Sequence, residues 1–315
     1  MHFVIYEDEL YHHGIKGQKW GVKNGPPYPL DDSDHSFAEK AGVTAPKHDG
    51  KDIAKKVLLV AGGAAVVGVG SYVAYKYISN GNVDPSKLAE ALNERIKRGD
   101  ISANPDVLIN KQILESFTDE ERRATQYYTT PDAYKIVNQT LRGKDANWIK
   151  ENNSIGLVGQ QILDYNLQGQ LIDNMTSALN KSKLDRDVTT TRMTDITGVC
   201  GLLGINEKGA TINDLVNSIG TNVTEKGFFS SSPGNPKTYF GNIKLTTLCP
   251  KGTKAFYYGG LSEISSEQEL LLQRSTQFKV LDVRIPTINS NLSGSLKGQD
   301  GIEIILEVID QLKGD

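Results

Sequence analysis

The sequence predicts an α+β domain, because two kinds of periodicity are segregated along it. From Asp84 to Lys183 apolar residues recur at helical spacing, whereas after Leu184 the texture changes to short runs bounded by Gly, Pro, Asn or Lys. Helices followed by strands favour helices packed on antiparallel or mixed sheets over the parallel sheet that alternating elements would build. No internal repeat of solenoid or propeller period is present. At 315 residues the chain is long enough to bury a sizeable core.

Residues 1–50 lack a sustained apolar period and carry Pro/Gly/Asp-rich stretches such as Gly25-Pro26-Pro27, which predicts a flexible arm. Within it, His13-Gly14-Ile15-Lys16-Gly17-Gln18-Lys19-Trp20-Gly21-Val22 resembles a short tag on capsid-associated and other structural proteins of tailed phages of Gram-positive bacteria. That resemblance implies a phage virion as context and assigns no activity. Residues 51–80 contain Val57 to Tyr75, nineteen residues without a charge, a length that just spans a bilayer core. Lys51, Lys55 and Lys56 precede it, Lys76 follows, and Tyr72, Tyr75 and Tyr77 sit where an interfacial belt would lie. The segment is expected to form a transmembrane helix with its N-terminus cytoplasmic, or else a buried or self-associating helix on a particle. It lies too far from the N-terminus for an ordinary cleaved signal peptide.

Residues 84–315 form the predicted domain, helical over 84–183 and β-rich over 184–315. Pro85 starts a helix carrying Leu88, Leu92 and Ile96, and Pro105 does the same ahead of Leu108, Ile109, Ile113 and Leu114. Thr118, with Glu121 three residues later, has the form of a capping box. Pro131 opens a further helix and Gly143 falls just past its end; a longer apolar helix is expected over Ile155 to Leu179. Strands are predicted at Val188 to Arg192, Gly227 to Ser231, Ile243 to Leu248, Ala255 to Tyr258, Glu269 to Leu272, Phe278 to Val283 and Ile302 to Val308. Helices near Ile196 to Leu203 and Ile212 to Ile219 intervene.

Composition excludes several functions. The formal net charge of -3 offers no basic field for nucleic acid. Two cysteines, Cys200 and Cys249, make neither a disulfide framework nor a Cys-x-x-Cys metal site, and read as small buried apolar residues. All five histidines, His2, His12, His13, His35 and His48, lie in the first 48 residues. Chemistry beyond Lys51 therefore has no imidazole for a Ser-His or Cys-His engine or for catalytic zinc, and no metal is expected. It must run on carboxylates, arginine, hydroxyls and a bound cofactor.

Three ordered strings supply such groups: Val188-Thr189-Thr190-Thr191-Arg192, Gly227-Phe228-Phe229-Ser230-Ser231-Ser232 and Glu267-Gln268-Glu269. Singly each is weak, since a strand-end arginine is commonly solvated and a serine triplet is commonly a loop. On a strand, however, Glu267 and Glu269 would project in one direction roughly 6 to 7 Å apart, so that the pair could serve two atoms of one reaction. Crowding two carboxylates also raises the pKa of at least one.

Taken together, the strings resemble the Arg-Ser-Glu class of mono-ADP-ribosyltransferases, most of all the actin-modifying enzymatic components of clostridial binary toxins. The run Glu267 to Val280 is similar to that family's catalytic strand, turn and next strand, and Tyr128-Thr129, Tyr134 to Asn138 and Leu141-Arg142-Gly143 resemble the helix before its core. The likeness covers about Pro85 to Leu312. It implies the ADP-ribosyltransferase fold and NAD as substrate. Arg192 would hold an NAD phosphate, Ser230 would position Glu269, and Glu269 would bind the nicotinamide ribose and favour its cationic transition state. Glu267 would deprotonate the acceptor, and a glutamate here points to arginine. Tyr134 and Asn138 match residues that touch NAD, Phe229 belongs to the aromatic-serine motif beside it, and Lys244 stands where relatives place an additional arginine. Three positions depart from the pattern: Ser-Ser-Ser replaces Ser-Thr-Ser, Met193 follows Arg192, and Ile264 replaces a target-recognising aromatic.

The resulting expectation is a toxin-like, phage-encoded NAD-dependent transferase acting on an arginine of a host protein. It would be associated with a virion or host membrane, or would act in host cytoplasm after delivery. A virion structural protein with an inactive transferase-like fold, and an NAD glycohydrolase, are the alternatives.

Overall fold

The computed structural model describes residues 69–71, 85–153, 159–161, 163–164, 170–233, 241–259, 268–286, 295–296 and 301–312. The chain divides into Met1–Ile53 and Ala54–Asp315, and every described residue belongs to the second unit. The arm with its tag-like string, Ile264 and Glu267 lie outside the described residues.

The helices come first: α1 (Pro85–Arg98), a 3-10 turn (Pro105–Leu108), α2 (Lys111–Ser116), α3 (Asp119–Tyr128), α4 (Pro131–Leu141), α5 (Ala146–Asn152) and α6 (Gln170–Lys181). The run after Pro105 is not one helix. It stops at Leu108, and Asn110 starts α2 afresh by accepting a hydrogen bond from Ile113 N–H at 3.3 Å. Helix α5 was not expected, although Asp145 caps it by accepting from Trp148 N–H at 2.8 Å. In the helix expected over Ile155 to Leu179, the described residues 159–161, 163–164 and 170–179 are helical.

The capping box at α3 does more than start a helix. Thr118 Oγ1 accepts from Glu121 N–H at 3.2 Å, and Glu121 Oε2 accepts from Thr118 N–H at 2.7 Å. The same carboxylate takes Lys181 Nζ at 2.7 Å and Ser177 Oγ at 2.6 Å, both on α6. Burial works against its charged form, but Lys181, Ser177 and the Thr118 amide outweigh it and hold the carboxyl below its usual range. A folded value below the unfolded one means that this stabilisation is present at neutral pH and is lost as pH falls through the folded value. Glu121→Ala is expected to cost about 3 kcal/mol, as cap and buried ion pair go together. Thermal unfolding at pH 7 would show the loss, and the gap from the parent should shrink below about pH 4.

Two sheets follow. Their strands are β1 (Val69–Ser71), β2 (Val188–Thr194), β3 (Asn222–Glu225), β4 (Phe229–Ser231), β5 (Ile243–Cys249), β6 (Ala255–Tyr257), β7 (Leu270–Leu272), β8 (Thr276–Pro286) and β9 (Ile302–Asp310), with α7 (Ile196–Leu203) and α8 (Ile212–Asn217) between β2 and β3. The large sheet runs β1-β8-β9-β5-β2, with β3 also paired to β8; the small one runs β4-β7-β6. Strands β5 and β9 are parallel and the other pairs antiparallel, which makes the large sheet mixed.

Strand β1 corrects the expected transmembrane helix. Val69 to Ser71 pair with Pro286 to Arg284 along the edge of the large sheet, so the charge-free run is not one continuous helix. Among the described residues no helix is long and apolar enough to cross a membrane. An apolar run without clear periodicity does not by itself separate helix from strand, and a Val/Gly-rich stretch can satisfy its backbone by pairing.

The small sheet lies between two apolar layers. Phe229, Ala255, Tyr257, Leu270 and Leu272 pack with Leu245, Phe278 and Ile304 of the large sheet. Phe228, Phe256, Tyr258 and Leu271 turn the other way, onto Phe117, Tyr128, Ile136, Val137 and Met175 of the helical layer. The far face of the large sheet carries α1, whose Ala89 and Leu92 pack on Leu248 and Ile305. Alternate residues of each short strand thus serve different cores, which explains why these strands are apolar throughout.

Candidate active site

The two sheets are stitched together at one point. Thr191 N–H donates to Ser232 C=O at 2.7 Å and Ser232 N–H to Thr191 C=O at 2.8 Å, drawing the free edge of β2 onto β4. The next residue, Arg192, lies opposite Leu245 and shares its face, the one turned toward the small sheet. Its guanidinium carbon stands 5.1 Å from the Phe229 ring centroid, and Nη1–H donates to Ser230 C=O at 3.3 Å. The aromatic-serine string therefore holds the arginine from below, by its ring and its backbone.

Strand β4 pairs Ser230 with Leu271 and Ser231 with Leu270, a register whose continuation brings Ser232 alongside Glu269. Side chains alternate, so Ser230 shares with Phe228 and Leu271 the face turned to the helices. Glu269 sits at the entrance to β7, only 6% exposed, with its C=O accepting from Tyr258 N–H at 2.9 Å. Two buried phenols flank it. Burial, and after it the negative charge of Glu269, push Tyr128 and Tyr258 well above the usual tyrosine range, while the Arg192 charge pulls Tyr128 the other way. Both phenols stay protonated at neutral pH. The buried Tyr128 hydroxyl thus feels both charges.

Tyr134 and Asn138 lie one turn apart on α4 but do different things. Tyr134 is 42% exposed, with Lys135 Nζ 5.9 Å from its ring centroid. Asn138 is 9% exposed, and both arms of its amide are engaged. Its Nδ2 donates to Tyr128 Oη at 2.9 Å, and its Oδ1 accepts from Phe228 N–H at 2.9 Å. A Cβ on Gly227 would stand 2.6 Å from that Oδ1, so the approach of helix to strand requires glycine there. One turn on, Arg142 donates from Nε and Nη2 to Glu225 at 3.1 and 3.0 Å, and Glu225 accepts from Gly227 N–H at 2.8 Å. Helix α4 thus pins the start of the serine strand twice.

One expectation needs correction. Lys244 pairs with Met193 rather than Arg192, which places it on the opposite face of the large sheet. There its Nζ pairs with Glu303 at 3.1 Å, in a cluster with Arg284 beneath α1. The expected pairing of Glu267 with Glu269 on one strand face falls partly outside the described residues, since Glu267 does. Gln268 has φ of 47°, a left-handed conformation, and β7 begins at Leu270. A non-glycine residue held there stores strain on the order of 1 kcal/mol beside the buried carboxylate.

Sequence reasoning missed Tyr258, and noticed Tyr128 only as part of a resemblance. Nothing local in either neighbourhood reports that its phenol will feel the charge of a glutamate more than ten positions away. A cavity of 490 Å³ lined by residues 107–114, Tyr257 and Leu270 contains none of Arg192, Ser230 and Glu269.

The donor set fits an anionic dinucleotide. Arg192 pairs with no carboxylate among the described residues and is half-buried, which leaves its fork for a phosphate. A largely buried carboxylate nearby suits charge that appears only during reaction. Among the described residues no cluster of His, Cys, Asp and Glu could hold a metal ion.

The ADP-ribosyltransferase exoenzyme family matches over residues 107–304, well over half of the chain. Solved structures with similar folds include Plx2a, an ADP-ribosyltransferase toxin from Paenibacillus larvae, at 20% identity over 71% of this chain and 97% of that one, with a TM-score of 0.45. The enzymatic component C2-I of the C2-toxin from Clostridium botulinum is similar at 17% identity over 66% and 47%, with a TM-score of 0.46. C3stau2 from S. aureus, solved with NAD, is similar at 18% identity over 73% and 98%, with a TM-score of 0.44. No curated protein matches the sequence.

Proposed function

Because the chain belongs to the ADP-ribosyltransferase exoenzyme family, we propose that it transfers ADP-ribose from NAD to an arginine of a host protein. The observation that carries this reading is that Arg192 is held on β4 by Phe229 and Ser230 while Glu269 stands at the head of the paired strand β7, each of the residue type the reaction needs. The bond between nicotinamide and ribose breaks, nicotinamide leaves with the electron pair, and the ribose carbon becomes cationic. Arg192, propped by Phe229 and Ser230, grips a phosphate through its fork. Glu269 steadies the cationic sugar, with a charge worth more in a buried setting than in water.

The acceptor arginine attacks the ribose carbon through a guanidine nitrogen and gives a proton to Glu267. Support for arginine is the resemblance at Glu267, where a glutamate stands before Gln268. The tag-like string at His13 to Val22 supports a phage-borne protein, acting in host cytoplasm after delivery.

The test is incubation of the purified chain with labelled NAD, with and without host lysate, scoring nicotinamide release and label on protein. Both are expected. Glu267→Gln should keep release and lose label transfer, because only the proton acceptor for arginine is removed. No release by the parent chain would point to an inactive transferase-like protein, and release without transfer to a glycohydrolase.

A further inference from the structure

We propose that the cavity beside β6 is a binding site for a neutral, largely apolar small molecule that carries one hydrogen-bond acceptor, with Tyr257 Oη as the donor that holds it. The inference does not rest on the transferase reading. Arg192 is held on β4, and the cavity lies at the other edge of the small sheet, against β6.

Three observations lead here. The first is the cavity itself, whose volume of 490 Å³ falls within the range of sites that take small ligands. It sits on the seam between two apolar layers. Leu108, Leu184 and Tyr257 line it from the core between the sheets, and Ile113, Leu114 and Phe256 line it from the core of the helical layer.

The second is the wall facing β6. Helix α2 is six residues long and buries none of them. A helix so short draws its stability from packing of its apolar side chains. Here those side chains, Ile113 and Leu114, line the cavity half-buried, and Val107 and Ile109 just before them are 37% and 43% exposed. An apolar body seated in the cavity would withdraw from water side chains that the fold leaves partly uncovered.

The third is the phenol. Tyr257 lines the cavity, is 5% exposed, and its hydroxyl is buried without a hydrogen-bond partner in the protein. Buried phenols usually find a partner, and one left unpaired is destabilising. Burial, and after it the charge of Asp106 in the 3-10 turn, push this phenol up to about 12, so it stays protonated and is a donor. The Asp106 carboxylate is near enough to act on it but falls outside hydrogen-bond geometry. That negative charge disfavours an anionic ligand beside the hydroxyl. The charged residues that line the cavity, Lys111, Lys183 and Asp185, are exposed and of both signs, so they select no charged ligand.

The experiment titrates the full chain, without NAD, with naphthalenes of one shape. Acetylnaphthalene carries a carbonyl acceptor, ethylnaphthalene carries none, and naphthoate is an anion. By calorimetry, acetylnaphthalene is expected to bind about five- to tenfold more tightly than ethylnaphthalene, the worth of one buried hydrogen bond, with naphthoate the weakest. Tyr257→Phe should bring acetylnaphthalene and ethylnaphthalene within about twofold of each other by weakening the first alone, whereas a tyrosine that only shapes the cavity would shift both alike. The same variant should melt no lower than the parent, because it deletes an unpaired buried hydroxyl. Ile113→Trp fills the cavity from a half-buried position and should weaken both ligands about tenfold or more. No binding by the parent, naphthoate bound as tightly as acetylnaphthalene, a preference that survives Tyr257→Phe, a lower melting temperature in that variant, or unchanged affinity in Ile113→Trp each overturns the proposal.

Discussion

Glu269→Gln is expected to reduce nicotinamide release by about a thousandfold or more while leaving the protein folded. The amide keeps the shape of the side chain, and Tyr258 N–H bonds the backbone of residue 269, which the substitution does not alter. What is lost is a negative charge in a largely buried position. Preorganised groups aimed at developing charge are typically worth a factor of 10² to 10³ each, about 3 to 4 kcal/mol. Melting temperature should hold or rise, since burying a neutral amide costs less than burying a carboxylate. A chromatographic assay of nicotinamide with both proteins at saturating NAD decides the matter, and less than a tenfold loss would show that the carboxylate is not the group facing the sugar.

The second large effect is expected at Arg192. Arg192→Lys keeps the charge but removes the planar fork and the stacking on Phe229. KM for NAD should rise about 10- to 100-fold, the equivalent of about 1.4 to 2.7 kcal/mol, with a smaller change in kcat. Lys244→Ala serves as the internal comparison. Its ammonium lies on the opposite face of the same sheet, paired with Glu303, so its removal should change KM by less than twofold. Binding of NAD followed by calorimetry measures both, and a Lys244→Ala penalty as large as that of Arg192→Lys would overturn the placement of the phosphate site.

Much of the scaffold was legible in the order of residues because local rules suffice for it. The Thr118 box forms with the Glu121 that the spacing supplies, and Pro131 starts a helix that ends before Gly143, whose φ is 87°. The runs at Ile243, Ala255 and Ile302 are strands, since β-branched and aromatic residues suit a pleated, half-buried surface. The failures share a cause. Val69 to Ser71 form a strand because the edge of β8 offers a partner 200 and more residues away, and Asn222 to Glu225 become β3 for the same reason. Neither segment carries a signal of its own strong enough to announce this.

The site divides along the same line. Arg192, Ser230 and Glu269 could be named from the sequence because the reaction restricts residue type, and a carboxylate or guanidinium has few substitutes. Which groups support them depends on which face of which strand they occupy, and register settles that. Pairing of Arg192 with Leu245 puts the guanidinium over Phe229 and, by alternation, puts Lys244 beneath α1. Gln268, in a left-handed conformation, turns the chain just before the buried Glu269. Sequence by itself determined the fold class, the helix starts and the chemical repertoire, because caps, periodicity and reactivity are short-range properties. Only the tertiary structure decided that Asn138 ties Tyr128 to the serine strand and that Tyr258 pairs with Glu269, because hydrogen bonds between strands and helices join residues by distance in space, and distance along the chain carries no record of it.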